Sequence, residues 1–290
     1  MNIFMRYVGY TYIFTRSPLS IRLHSHDSHF HNCVQCLASH ERTRGWFLVG
    51  SPVPMLLIMF GYHRLITKIG PAIMKSRQPF KIDKIVQIYN LAQVIICGWL
   101  AFEGFRLTYG PNGHYNLHCQ PMDLSLSPLA RRIALLTWIY YMIKVLDLFD
   151  TIFFVMRKKF NQVSFLHLYH HMGILILGYM GSTFYPDGHG FIIIPLNSLV
   201  HCFMYFYYFL SNYSSKYKNN VWWKKHITQL QIAQFVILII QATRGLLASN
   251  CGYPYFPLFL IYPQLILILK LFGDFYYKTY INPKPTQKTS

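Results

Sequence analysis

The sequence is short of charge, and above all of negative charge. Only 12% of its 290 residues are Asp, Glu, Lys or Arg, and nine are acidic. A soluble globular domain carries about a quarter charged residues. That deficit sits beside 53% hydrophobic and 18% aromatic residues and a mean hydropathy of +0.26. Together they exclude an ordinary water-soluble domain and predict an all-α, polytopic membrane protein. No convincing secretory signal is expected either, because Arg6 interrupts a short apolar start and no clear cleavage site follows. The stretch around His24, His26, His29, His31, Cys33 and Cys36 lacks the spacing of a zinc site, so residues 1–45 read as a poorly structured N-terminal segment. The internal repeat expected of many transporters is not evident.

What is present is positive. The formal net charge is +18, which in a soluble protein would suggest nucleic acid. Here the basic residues cluster between apolar segments, so the reading is no nucleic acid, but membrane orientation and an anionic ligand. Seven candidate spans cover residues 53–67, 85–105, 130–156, 164–182, 190–210, 227–247 and 255–277, each near the ~20 residues that cross a bilayer. The loops after the first, third and fifth spans, with the C-terminal tail, hold fifteen Lys and Arg, among them Arg157, Lys158, Lys159, Lys224 and Lys225. The alternate loops, counted with the span ends beside them, hold four: Arg106, Arg131, Arg132 and Arg244. The positive-inside rule then puts the C-terminus in the cytosol and, with seven spans, the N-terminus on the far side. Five arginines ahead of the first span pull mildly the other way. On this topology Cys119 and Cys251 share the non-cytosolic side, where a disulfide between them would tie two loops together.

Titratable groups inside spans are costly and normally functional. In "QVSFLHLYHH", after Gln162, the residues His167, His170 and His171 share one helical face. In "IKVLDLFDTIFF", Lys144 and Asp147 are three apart, Asp150 lies close by, and Thr151 shares their face. In "NSLVHCFMYFYYF", Asn197 precedes His201 by four, and His201, Met204, Tyr205 and Tyr208 form one stripe. In "TQLQIAQ", Thr228, Gln231 and Gln234 repeat every three. Polar faces on four spans point to a common interior cavity. A His-x-x-His-His box suggests a metal, as in membrane di-iron desaturases and hydroxylases, but those need several boxes and one is present here. Four histidines and two aspartates could just ligate one metal. Without a metal, imidazole offers general base catalysis, oxyanion stabilisation or nucleophilic attack on an activated acyl group. A seven-helix transporter is the other alternative, although it has no need of a histidine triplet beside a Lys–Asp–Asp cluster.

The motifs "KVLDLFDT", "QVSFLHLYHH", "NSLVHCFMYFYY" and "TQLQIAQ", in this order, resemble the very-long-chain fatty acid elongases of the endoplasmic reticulum. So do "SPVPMLLIMFGY", "GPAIMKSRQPF", "YNLAQV" and "CQPMD". The resemblance covers about residues 46–280, leaving 281–290 as a cytosolic tail. It implies seven membrane helices, six of them enclosing an acyl tunnel open to the cytosol. It also implies a 3-oxoacyl-CoA synthase that joins long-chain acyl-CoA to malonyl-CoA with loss of carbon dioxide. No metal and no redox cofactor would be needed. The implied setting is the reticulum bilayer, with the other enzymes of the elongation cycle as partners. By the same resemblance His170 takes the acyl group, His201 assists, and His167 and His171 orient and tune them. Lys144, Asp147 and Asp150 support the site, with Asn197, Gln162, Tyr205, Tyr208 and Gln231 around it. Arg157, Lys158, Lys159, Lys224 and Lys225 would meet the CoA phosphates. The family usually has glutamate where this chain has Asp147, one methylene shorter.

Overall fold

The computed structural model describes residues 4–7, 10–13, 41–218 and 220–282. Two compact units divide the chain, Met1–Ser39 and His40–Ser290. In the first, strands β1 (Phe4–Tyr7) and β2 (Tyr10–Ile13) pair antiparallel, with Phe4 opposite Ile13 and Tyr7 opposite Tyr10. The histidines and cysteines of the stretch 24–36 lie outside the described residues.

Among the described residues of the second unit, every regular element is a helix. Helix α1 (Val53–Arg64) runs on through a π turn, Leu65–Ile69, into the short helix Gly70–Lys75. There follow α2 (Asp83–Thr108), α3 (Pro128–Leu146), α4 (Leu148–Met156), α5 (Phe165–Phe184), α6 (Ile193–Tyr213), α7 (Val221–Leu247) and α8 (Tyr255–Tyr276). Among the described residues four segments are long and apolar enough to cross a membrane: α2, α6 with the turn before it, α7, and α8 with the turn after it; the expected spans 53–67, 130–156 and 164–182 are not among them.

Local chemistry sets the helix starts that matter for function. Ser127 caps α3, its hydroxyl accepting from the Ala130 N–H, and Pro128 takes the first helical position, where no N–H is needed. Ser164 caps α5 in the same way, accepting from the His167 N–H and so fixing where the histidine face begins. Small residues bring α2 close to α6: a Cβ on Gly104 would sit 2.9 Å from Pro195, and one on Gly98 would sit 3.4 Å from the Cys202 sulfur.

One expected span is divided in two. Residues 130–156 read as a single helix in the sequence, yet the structure divides them at Asp147 between α3 and α4. The hydrogen bonds give the reason. The Leu146 carbonyl accepts from the Tyr89 hydroxyl at 3.2 Å, while the Asp150 N–H turns to the Asp147 carbonyl three residues back. An α2 side chain thus takes the carbonyl that an unbroken helix would have used.

Away from the histidines, the connections between helices pack tightly. Cys119 and Cys251 are joined by a disulfide, and Tyr253 and Leu258 pack beside it with Met122. Arg42 is buried here, meeting Asp187 at 2.7 Å and donating to the carbonyls of Asp123 and Ala130. Burial pushes the Asp187 carboxyl up to about 6, with the Arg42 charge opposing the rise. A carboxyl raised in the folded state contributes stability that is full below its unfolded value and is lost as pH rises through the folded one. Stability should therefore fall by about 3 kcal/mol between roughly pH 4 and pH 6, at ~1.4 kcal/mol for each pH unit in that window. Thermal unfolding of Asp187→Asn checks this: the variant should lack that part of the slope, and an unchanged slope would assign it elsewhere.

Candidate active site

The break at Asp147 gathers a buried charged network between α2, α3, α4 and α6. The Lys144 ammonium donates to Asp147 Oδ2 at 3.0 Å, and both side chains are only 1% exposed. Asp147 Oδ1 accepts from Gln93 at 2.8 Å and from the Tyr205 hydroxyl at 3.0 Å. That hydroxyl also lies 2.6 Å from Asp150 Oδ2, so one phenol bridges two carboxyl groups. His201 Nδ1 lies 3.5 Å from Lys144 Nζ and 3.6 Å from Asp147 Oδ2. A buried ion pair persists only when its remaining lone pairs and protons are satisfied. Here Gln93, Tyr205 and His201 take that part.

The histidine face of α5 forms a second set. His167 Nε2 pairs with the Thr151 hydroxyl at 2.7 Å, and Thr151 pairs with the Tyr62 hydroxyl at 2.8 Å. Thr151 lies one turn beyond Asp147 and next to Asp150, so α4 joins the two sets. The His167 and His171 rings are 4.4 Å apart between centroids, and those of His170 and His171 are 5.9 Å apart. His171 Nδ1 is buried, with no hydrogen-bond partner among the described residues. His170 points toward α8, its ring 6.4 Å from Phe272. No three His, Cys, Asp or Glu side chains among the described residues are grouped so as to hold a metal ion.

A third set is neutral. The Tyr140 hydroxyl donates to Asn197 Oδ1 at 2.9 Å, and Asn197 Nδ2 donates to Gln234 Oε1 at 3.4 Å, all three buried. Below it lies an apolar cavity walled by Tyr140, Ile174, Leu177 and Gly178 on the α3 and α5 side. Leu238, Ile261 and Leu265 wall it on the α7 and α8 side. Tyr185, His189 and Tyr253 line it as well. Ile174 stands three residues beyond His171 on α5, so the apolar wall begins where the histidine face ends.

Other expected residues are dispersed. Gln231 is partly buried, with its amide 3.8 Å from the Met204 sulfur. Tyr208 is 36% exposed, its ring 6.0 Å from that of Tyr205. Gln162 is exposed on the turn before α5. Arg157 is paired with Asp83 at the start of α2 at 2.6 Å. Lys158 has a left-handed backbone at φ 55°, just beyond α4, next to Lys159. Lys224 and Lys225 lie near the start of α7. Gln93, Tyr89, Tyr140 and Tyr62 were not singled out from the sequence. For Gln93 a signal existed: Tyr89, Asn90 and Gln93 form a polar stripe at helical spacing inside an apolar run.

A model of the ELO family, described as the GNS1/SUR4 family, matches residues 47–288. The chain belongs to this family. Elongase 7 of Drosophila melanogaster, a very long chain fatty acid elongase, is 37% identical over 252 residues, which cover 87% of this chain and 76% of that one. Very long chain fatty acid elongase 7 of Rattus norvegicus is 37% identical over 250 residues, covering 86% and 88%. Very long chain fatty acid elongase 1 of Homo sapiens is 34% identical over 256 residues, covering 87% and 91%. The part matched to the GNS1/SUR4 family holds all three polar sets and the cavity. It begins at Phe47, whose carbonyl accepts from the Trp138 indole. With family membership and four helices of spanning length among the described residues, the chain is a multi-pass membrane protein.

Proposed function

We propose that this protein is a condensing enzyme of fatty acid elongation, a 3-oxoacyl-CoA synthase acting on long-chain acyl-CoA and malonyl-CoA. The observation that carries the reading is the contiguity of a histidine face and an apolar cavity on α5, at His171 and Ile174. A reacting thioester belongs at the first and its alkyl tail in the second. In the first step an imidazole nitrogen of His170 attacks the thioester carbonyl. The carbon–sulfur bond breaks, and CoA leaves as its thiol with the imidazole proton. In the second, malonyl-CoA loses carbon dioxide, and the electron pair left on carbon attacks the acyl-imidazole. A carbon–carbon bond forms, the imidazole nitrogen leaves and takes up a proton from water to regenerate neutral His170, and the 3-oxoacyl-CoA is two carbons longer. Neutral imidazole is competent for such acyl transfer.

The His170 ring supports this assignment, since among the described residues no hydrogen bond engages it, whereas Thr151 holds His167. His201 beside Lys144 and Asp147 assists the same centre, and His171 tunes it. Gln162, Tyr208 and Gln231 belong to the surround of the site. The basic residues Arg157, Lys158, Lys159, Lys224 and Lys225 receive the CoA phosphates at the cytosolic mouth, with Arg157 also anchoring α2 through Asp83. The membrane is that of the endoplasmic reticulum, crossed seven times, with six helices around the acyl tunnel. The C-terminus is cytosolic and the N-terminus lumenal, and the other enzymes of the cycle are partners. The test is turnover: purified protein given a long-chain acyl-CoA and radiolabelled malonyl-CoA should yield labelled 3-oxoacyl-CoA. Absence of that product across acyl chain lengths would overturn the reading.

A further inference from the structure

We propose that Tyr140 is a positioning residue for the condensation, acting through Lys144; the assignment rests on the function proposed above. An ammonium carries three N–H donors and no acceptor. Lys144 Nζ has Asp147 Oδ2 at 3.0 Å and His201 Nδ1 at 3.5 Å. The remaining direction is taken by the face of Tyr140, whose ring centroid lies 4.8 Å from Nζ. With His201 in the tautomer that leaves Nδ1 unprotonated, carboxylate, imidazole and π face together account for all three donors of a side chain that is 1% exposed.

The ring is itself held. Its hydroxyl donates to Asn197, and Asn197 donates to Gln234, so α3, α6 and α7 fix its orientation. The same side chain lines the apolar cavity. Without the aromatic face, the third N–H of Lys144 would meet alkyl groups and find no acceptor. The ammonium would then leave its position between Asp147 and His201. Tyr140 therefore does two things: it supplies the last acceptor for the charged network, and it separates that network from the tail cavity.

The π face can be weakened without changing its shape. Phenylalanine and its mono-, di- and trifluorinated analogues, placed at position 140, draw charge progressively out of the ring. The attraction for a cation falls while ring size is nearly constant. Tyr140→Phe, which keeps the ring but loses the hydroxyl bond to Asn197, is the reference of the series, and the trifluorinated ring should lower kcat by about tenfold from it. KM for acyl-CoA should stay level along the series. A kcat that does not change with fluorination would overturn the proposal. So would a rise in KM with constant kcat, which would make Tyr140 a cavity wall only. The wild-type protein serves as control: an inactive wild type overturns the condensation reading, whereas an active wild type with a flat series overturns the role of Tyr140 alone.

Discussion

Replacing His170 by alanine should abolish the release of CoA that follows addition of acyl-CoA alone. In the wild type, acyl transfer to the imidazole frees up to one equivalent of CoA before malonyl-CoA is present, and a stopped assay of free thiol reads it. The expectation rests on the unequal surroundings of the three histidines. His167 is bonded to Thr151, His171 is buried, and His170 stands with its ring toward Phe272. A metal site would use all three in the same capacity, and each substitution would then remove bound metal. In an acyl-imidazole mechanism only His170 forms the bond that expels CoA. His201→Ala should keep the fold, because Lys144 retains Asp147, and should lower kcat by about 10²- to 10⁴-fold, the range for a lost acid–base group. A full burst from His170→Ala, or stoichiometric iron in the active wild type, would overturn the assignment.

Asp147→Ala should be the most destabilising single change in the network. It removes the acceptor shared by Lys144, Gln93 and Tyr205 and leaves an ammonium buried without its counter-charge. Breaking a buried pair from one side costs about 3–5 kcal/mol. Thermal unfolding in detergent and the yield of monodisperse protein would measure it. Asp147→Glu should be tolerated, because the extra methylene can be absorbed at the break between α3 and α4, where the backbone is not locked into a continuous helix. Equal yield, stability and activity for Asp147, Ala and Glu would show that the pair is not the keystone of the network.

The sequence made some of this legible and hid the rest, for physical reasons. The histidine face was visible because residues three and four apart on a helix share a face. The Lys144–Asp147 spacing was visible for the same reason, and the structure makes it an ion pair. The pairing of Cys119 with Cys251 followed from counting basic residues in loops, and the structure joins them. The division of 130–156 was not legible, because it depends on a hydroxyl from Tyr89, on a different helix far back in the chain. No local propensity signals it: "KVLDLFD" has neither Pro nor Gly. Arg42 was likewise hidden within a polar N-terminal stretch, since its counter-ion Asp187 belongs to the loop after α5. Tyr140 read as one more aromatic in "WIYYM". Lys144 is one turn away on the same helix, but Asn197 and the far walls of the cavity belong to other helices, and only the fold brings them to the ring.

The covalent link between Cys119 and Cys251 joins residues 132 apart in the chain, one before α3 and one after α7. During synthesis Cys119 emerges early and lacks its native partner until α3, α4, α5, α6 and α7 have all been made and Cys251 follows them. A nascent chain arrested anywhere before that point cannot hold the Cys119–Cys251 bond. The bond thus records completed insertion: the oxidised fraction of a population counts the molecules in which every helix between these two cysteines has been threaded.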